Sequence, residues 1–360
     1  MKRLFLPLLA SSALLALTTA APALAAGNAS DGLQEMRDWN LILLGSASSS
    51  SEVEGNTFIG GSLGGGSSNY YTKPQGALTP GLVVAGSVSS QIHINNSGGA
   101  EIGGSEAGSI DLNGNNQALI IGGSAQDING SNGSAITVGA GSVGGYFNQN
   151  GASFSSTLPA NFSANLQTQG AQYGQDLNAL SQYFKGLTQT DSYTISPSNQ
   201  INFSPASAGK VAVFDLSSTA ALSGIGSINF STNGFDTVIV NVGGTSDSFS
   251  GINFVGSPSG LGQHVIWNFY DATSLNINTA FYGSVLAPKA AGTTSNFIEG
   301  SAVFSSLTQN GEVHMKTYDG GFTIPGVPEP STWAMMLLGV AGVGAMARSA
   351  RRRQGAATAA

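Results

Sequence analysis

Acid–base cleavage of a glycan needs two carboxylates facing one bond, and two closely spaced pairs of acids could supply them: Glu52 with Glu54, and Glu101 with Glu106. Glu52 and Glu54 would share one side of a strand, because side chains alternate there; for both pairs a solvated or turn-capping role is the simpler expectation. Asp111-Leu112-Asn113-Gly114-Asn115 and Asp127-Ile128-Asn129-Gly130-Ser131 place oxygen ligands at alternate positions, as calcium loops do. Neither is followed by the bidentate Glu of an EF-hand, and Asp, Asn and Gly are turn formers in their own right. Asp111, Asn113, Asp127 and Asn129 are therefore weak calcium candidates, with stacked turns the stronger expectation. None of the three histidines, His93, His264 and His314, stands in the H-x-x-H spacing that puts two ligands on one face. Glu312 and His314 fall on one side of a strand, which predicts a hydrogen-bonded structural pair. With no cysteine, thiolate chemistry and disulfides are excluded, and there is no G-x-S-x-G and no phosphate loop with its lysine. Gly64-Gly65-Gly66 reads as a turn. Tyr70, Tyr71, Tyr146 and Phe147 would suit either a sugar-stacking platform or packing. No catalytic residue, metal or cofactor is predicted.

The two ends of the chain carry processing chemistry instead. Lys2 and Arg3 precede a Leu/Ala-rich run from Leu4 to Leu17 and then Ala23-Leu24-Ala25. These are the basic, apolar and small-residue regions of a secretory signal, cut after Ala25 or Ala26, so residues 1–26 are read as a Sec signal peptide for signal peptidase. At the far end Val327-Pro328-Glu329-Pro330-Ser331-Thr332 leads into an apolar stretch, Trp333 to Ala347, and then Arg348, Arg351, Arg352 and Arg353. The stretch is shorter than the about 20 residues of an ordinary span, and the arginines hold the C-terminus in the cytoplasm. Residues 325–360 thus resemble the PEP-CTERM sorting tail, with a short transmembrane helix over 333–347 and a basic end. The resemblance implies cleavage near Val327–Ser331 by the membrane protease exosortase, in Gram-negative bacteria that make exopolysaccharide. An ordinary C-terminal anchor with a proline-rich stalk is the other reading.

Between the tails, residues 27–326 carry six basic residues (Arg37, Lys73, Lys185, Lys210, Lys289, Lys316) and eighteen acidic ones, the nineteen of the whole chain less Glu329, for a net 6 − 18 = −12. Phosphate binding needs clustered Lys and Arg, so nucleic acid is excluded as a partner.

The elements that must position these residues read as β-structure. Short apolar runs such as Leu82-Val83-Val84 and Ala118-Leu119-Ile120-Ile121 alternate with Gly/Asn/Ser turns. Gly86-Ser87, Gly104-Ser105, Gly123-Ser124 and Gly141-Ser142 recur at steps of 18, 19 and 18 residues (86 to 104, to 123, to 141). A period near 18 suits one coil of a parallel β-solenoid, the right-handed β-helix; a β-sandwich is the competing all-β architecture. Within about 158–187 the spacing of Phe162, Leu166, Tyr173, Leu177, Leu180 and Phe184 predicts one long amphipathic helix, weakened by Gly170 and Gly174 and braced along a solenoid face. Asp31 to Asp38 would form a short helix capping the N-terminal end. β signals return after the long helix, and both halves are read as one domain over 27–324.

That domain resembles the choice-of-anchor A family from about Trp39 to Phe322. The resemblance rests on Trp39-Asn40-Leu41-Ile42-Leu43-Leu44-Gly45 with Glu52-Val53-Glu54-Gly55-Asn56-Thr57-Phe58-Ile59-Gly60-Gly61, then Val240-Asn241-Val242-Gly243-Gly244, Trp267-Asn268-Phe269-Tyr270-Asp271-Ala272-Thr273, Gly283-Ser284-Val285-Leu286-Ala287-Pro288, Ile298-Glu299-Gly300 and Gly311-Glu312-Val313-His314. Asn56 stands where the family pattern tends to have Arg, and Phe58 where a small residue is usual. Taken together, the sequence predicts a non-enzymatic, exported structural or interaction protein. It would be held briefly at the inner membrane, then sorted to the cell surface or biofilm matrix, with exopolysaccharide as the candidate partner. A surface adhesin or ice-binding module is the alternative; a polysaccharide-degrading enzyme is less favoured, because no groove of clustered acids is visible. Regular Thr-x-Thr ranks, which would favour ice, are missing.

Overall fold

The computed structural model describes residues 26–75, 80–205 and 210–324. Ala23 and Ala25 of the cleavage region lie outside the described residues, as does the whole sorting tail, including Val327, Pro328, Glu329, Pro330, Ser331, the 333–347 helix and Arg351, Arg352 and Arg353. Ala26 is the first residue described.

The body is a parallel β-solenoid, as the repeat predicts. Among the described residues a single antiparallel pairing occurs, Thr194–Ile195 against Gln200–Phe203, and no sandwich forms. The order of the strands departs from simple winding. The chain enters the largest sheet at its middle, with Leu41–Leu43, and winds outward through Thr57–Ile59, Leu82–Val84, Ala100–Ile102, Ala118–Ile121 and Ala135–Val138 to Ser153–Ser155 at one edge. It then crosses to the opposite edge, restarts at Val211–Leu216, and winds back through Thr237–Val242, Val265–Phe269 and Ser284–Thr294 to Ala302–Gln309. That last strand docks in register on the first: Leu41 beside Ala302, Ile42 beside Val303, Leu43 beside Phe304. Two arms thus meet at a central seam.

Helix α2 (Phe162–Lys185) makes the crossing. Twenty-four residues rise about 36 Å, enough to span seven or eight strands at about 4.8 Å each. It starts after Pro159 and Asn161, whose φ of 56° breaks the helical path, and ends at Gly186. Its stripe of Phe162, Leu166, Leu177, Leu180 and Phe184 is buried. Gly170, a weak point by propensity, is a close approach: a Cβ there would lie 3.3 Å from the Phe58 ring.

A second helix, α1 (Ala29–Asp38), is capped by Asn28, whose Oδ1 accepts from Ser30 N–H at 3.0 Å. The solenoid is therefore braced by two helices. α1 does not cap an end; Leu33 and Met36 pack with α2 over the middle of the sheet. Between the helices Glu35 is buried beside Asp176, and burial followed by that neighbouring carboxylate pushes its carboxyl up to about 10. Asp176, raised above its ordinary value by burial, accepts from Asn28 N–H at 2.6 Å.

The core has two layers. Inside the tube pack Leu41, Leu43, Ile59, Val84, Trp267 and their neighbours; between sheet and helices pack Ile42, Phe58, Val83, Ile239, Ile266, Leu286 and Val303. Strands covered on both faces read as unbroken apolar runs such as Leu41-Ile42-Leu43. One polar track interrupts this layer. Asn268 donates to Asn241 Oδ1 (2.8 Å) and to Ser181 O (2.9 Å), while Asn241 donates to Phe184 O (2.9 Å) and Asp215 Oδ1 (3.2 Å), tying the C-terminal half of α2 to three strands.

Candidate interaction surfaces

Among the described residues the tube has one helix-covered face and two uncovered ones. The first uncovered face begins where each coil turns at its Gly-Ser mark. Ser62 N–H donates to Ser46 Oγ (3.1 Å), Ser87 N–H to Ser62 Oγ (3.2 Å), Ser105 N–H to Ser87 Oγ (3.1 Å) and Ser124 N–H to Ser105 Oγ (3.2 Å). The repeated serine is therefore a backbone cap handed from coil to coil. Beside this row, outward positions align across both arms: Ser248 with Asn276, Asn276 with Thr293, Thr293 with Thr308, Thr308 with Ser48, and Ser48 with Gly64. Apart from Gly64, which ends the rank without a side chain, these residues present exposed or half-buried side chains, while the intervening Leu275, Leu307, Ala47 and Leu63 point into the core. The result is a rank of small hydrogen-bonding groups stepping at the strand spacing, about 4.8 Å. At the seam it borders a shallow hollow of about 420 Å3 lined by Ser46, Ser48, Ser274, Thr293, Ser306 and Thr308.

The second uncovered face carries the titratable groups. Its register places Glu52 beside Asn69, then His93, Asp111, Asn129 and Asn148 in line. At the seam, His314 falls beside Glu299, and Val313 beside Val53. Glu54 is buried, ion-paired with Lys73 at 2.5 Å, and accepts from Met315 N–H at 2.8 Å. His314 Nε2 lies 2.6 Å from Glu312 Oε2 and its ring stacks on Phe297 at 4.6 Å, the structural pair expected. Burial, then the Glu312 and Glu54 carboxylates, raises the Glu52 carboxyl above its ordinary value. Next to this cluster opens a groove of about 600 Å3 bordered by Arg37, Glu54, Lys73, Glu299, His314 and Lys316. Lys316 holds φ at 112°, a strained backbone for a side-chain-bearing residue. Arg37 spans the groove's end, donating to Gly320 O (2.9 Å) and Phe322 O (2.7 Å).

The calcium candidates are not gathered. The coil step carries Asp111 onto Asn129 and His93, with His93 Nδ1 3.0 Å from Asp111 Oδ2. Asn113 donates to Asn95 (3.1 Å), Asp127 accepts from Tyr146 N–H (2.6 Å), and Asn129 accepts from Asn148 (2.9 Å). Among the described residues no three acids or histidines converge as a metal set. Glu101 lies on the strand Ala100–Ile102 in the helix-covered sheet, whereas Glu106 is buried at the opposite turn, accepting from Gln126 N–H (2.9 Å) and Asp127 N–H (3.3 Å). The pair does not face one bond. Tyr70 and Tyr71 are buried and Phe147 is half-buried against the core, which leaves Tyr146 of the aromatic candidates at the surface. The Ser/Thr/Asn rank went unseen in the sequence: its members lie one per coil on two separate arms, and the Gly-Ser marks were their nearest local trace.

A family model described as "Putative Ice-binding-like adhesive domain" matches residues 32–117 and 105–315. A second, described as "PEP-CTERM protein-sorting motif", matches residues 326–353. Neither description names choice-of-anchor A. No curated protein matches. Among solved structures, the chain is similar to the crystal structure of an ice binding protein from an Antarctic bacterium Flavobacteriaceae, at 12% identity over 79% of this chain and 98% of that one, with a TM-score of 0.26.

Proposed function

The chain belongs to the ice-binding-like adhesive domain family and carries a PEP-CTERM sorting motif, and on that premise we propose that this exported, cell-surface adhesin-type protein binds hydroxyl-rich polymer, exopolysaccharide foremost, through the uncovered Ser/Thr/Asn rank. The motif implies processing by an exosortase. In this reading signal peptidase removes residues 1–26 and the 333–347 helix holds the chain transiently in the inner membrane, with Arg351, Arg352 and Arg353 inside. Exosortase then cuts at Val327–Ser331 and the 27–324 body passes to the surface or biofilm matrix. Its action is adhesive, not catalytic, and the choice-of-anchor A resemblance names the subgroup we assign it to.

The rank carries the reading. The helix-covered sheet spends its outward positions on packing, whereas this face presents one small polar group per coil to solvent at regular spacing. Each contact is weak, and affinity comes from many in register. Co-sedimentation with exopolysaccharide from the producing host tests it. The wild type should pellet with the polymer and a Ser48→Ala/Thr308→Val variant should lose most of that binding; equal binding by both would sink the rank as the contact. The same regular spacing favours ice as a second ligand, which thermal hysteresis would reveal.

A further inference from the structure

The two ends of the tube are built differently. At the Val211–Leu216 end two of the three strand edges carry a cover, and the third ends in a two-residue antiparallel strand whose Ile195 is exposed. Thr190 N–H donates to Val213 O (3.0 Å), and Val213 N–H donates to Thr190 Oγ1 (2.9 Å). Thr194–Ile195 closes the sheet begun by Gln200–Phe203. The turn Thr219–Leu222 lies along Ser246–Phe249, with Thr219 Oγ1 2.8 Å from Asp247 Oδ1. Asp191, Lys210 and Asp215 add charge there, the usual guard of a strand edge. At the other end Phe147–Asn148 and Ser153–Ser155 are outermost, and among the described residues nothing pairs with their outer sides. The last core layer there, Val143, Phe147, Ala152 and Phe154, is only partly buried, and Tyr146 is 62% exposed. From Ile128 to Gln175 the sequence has no charged residue and no histidine, so among the described residues the edge strands have no cover and carry no charge of their own.

We propose that this end docks on the same end of a second copy, edge to edge about a twofold axis. The twofold turns the two Ser153–Ser155 edges antiparallel, a pairing that needs only backbone groups. Three observations select a second copy. The body carries a net −12, so approach by most other surfaces brings many like charges together, while this end brings only Asp127, whose Oδ1 accepts from Tyr146 N–H. Once cut within Val327–Ser331, the cleavage on which this inference rests, the chain's own tail does not reach. Phe322 and Ile324 pack near Tyr183, at the C-terminal end of α2, whereas Leu158 approaches Gly139, beside the open end, just before α2 begins. The two places are about 36 Å apart along the helix, beyond the roughly 28 Å that residues 325–332 span when fully extended. Finally, the opposite end offers no matching edge, with two of its edges covered and the third reduced to two antiparallel residues, so the contact closes at two copies instead of running on as a filament.

Sedimentation velocity and light scattering on the chain as the host releases it, over rising concentration, test this. The wild type should double in mass. Tyr146→Lys/Ser153→Lys/Ser155→Lys, at three exposed positions, should stay at the monomer mass with an unchanged melting curve, and Ser198→Lys at the covered end should dimerise like wild type. A wild type that stays monomeric throughout, a triple variant that still dimerises, or species growing beyond two copies would each overturn the proposal. So would dimerisation that appears only once residues 325–360 are deleted, which would show the tail to be the occupant.

Discussion

A single strand, Ala302–Gln309, belongs to two different surfaces. Near its start Val303 points outward and is buried under the helices; near its end Thr308 points outward into solvent. The inward residues, Ala302, Phe304 and Leu307, are alike in both parts. What separates the braced side from the free side is therefore the outward position of each coil, apolar where a helix must stick and small and polar where nothing covers it.

The strongest way to break that comparison is to attack the braced side at Phe58, whose ring packs against Trp39 (5.7 Å) and Tyr173 (4.8 Å) under α2. Phe58→Ala should cost about 3–5 kcal/mol in denaturant unfolding, since the cavity opens directly under Gly170 of the helix. A pH-dependent effect, of similar size only near neutral pH, sits between the helices. Glu35 titrates at about 10 when folded against 4.5 as its ordinary value, so between those limits the folded chain holds a proton that the unfolded chain has released. Stability is then full below about pH 4.5 and falls as pH rises toward 10, by up to about 1.4 kcal/mol per pH unit; raised Asp176 acts in the same direction. Glu35→Gln should flatten that slope, and its advantage over wild type should grow with pH and vanish near pH 4 in melts across the range. The smallest effect belongs to the free side: Ser48→Ala/Thr308→Val should shift stability by less than about 0.5 kcal/mol while reducing polymer binding. A large loss of stability there would mean that the rank is part of the frame.

Much of this frame is legible in the sequence, because solenoid coils write their period locally: the Gly-Ser marks, the apolar triplets and the α2 stripe all sit within a coil or a helical turn of one another. What escaped lies beyond one coil. The Asp111 and Asp127 loops are 16 residues apart, but the coil step is 18, so Asp111 meets Asn129 and misses Asp127. Glu52 reads as a partner of Glu54, while the fold adds Glu312 from the other arm. Pairing of Leu41 with Ala302 leaves no periodic trace, so the seam, and both surfaces that cross it, could not be read from spacing.

That seam also governs when the molecule can become itself. Leu41–Leu43 waits for a neighbour that is synthesised 261 positions later (302 − 41), and such distant pairing makes for slow folding. A chain arrested before Ala302 would leave the first strand with a raw edge in the middle of the sheet, open to aggregation and to proteases. During export the last long strand therefore acts as a proof of completeness: the tube seals only after nearly the whole body, as far as Gln309, has crossed the membrane.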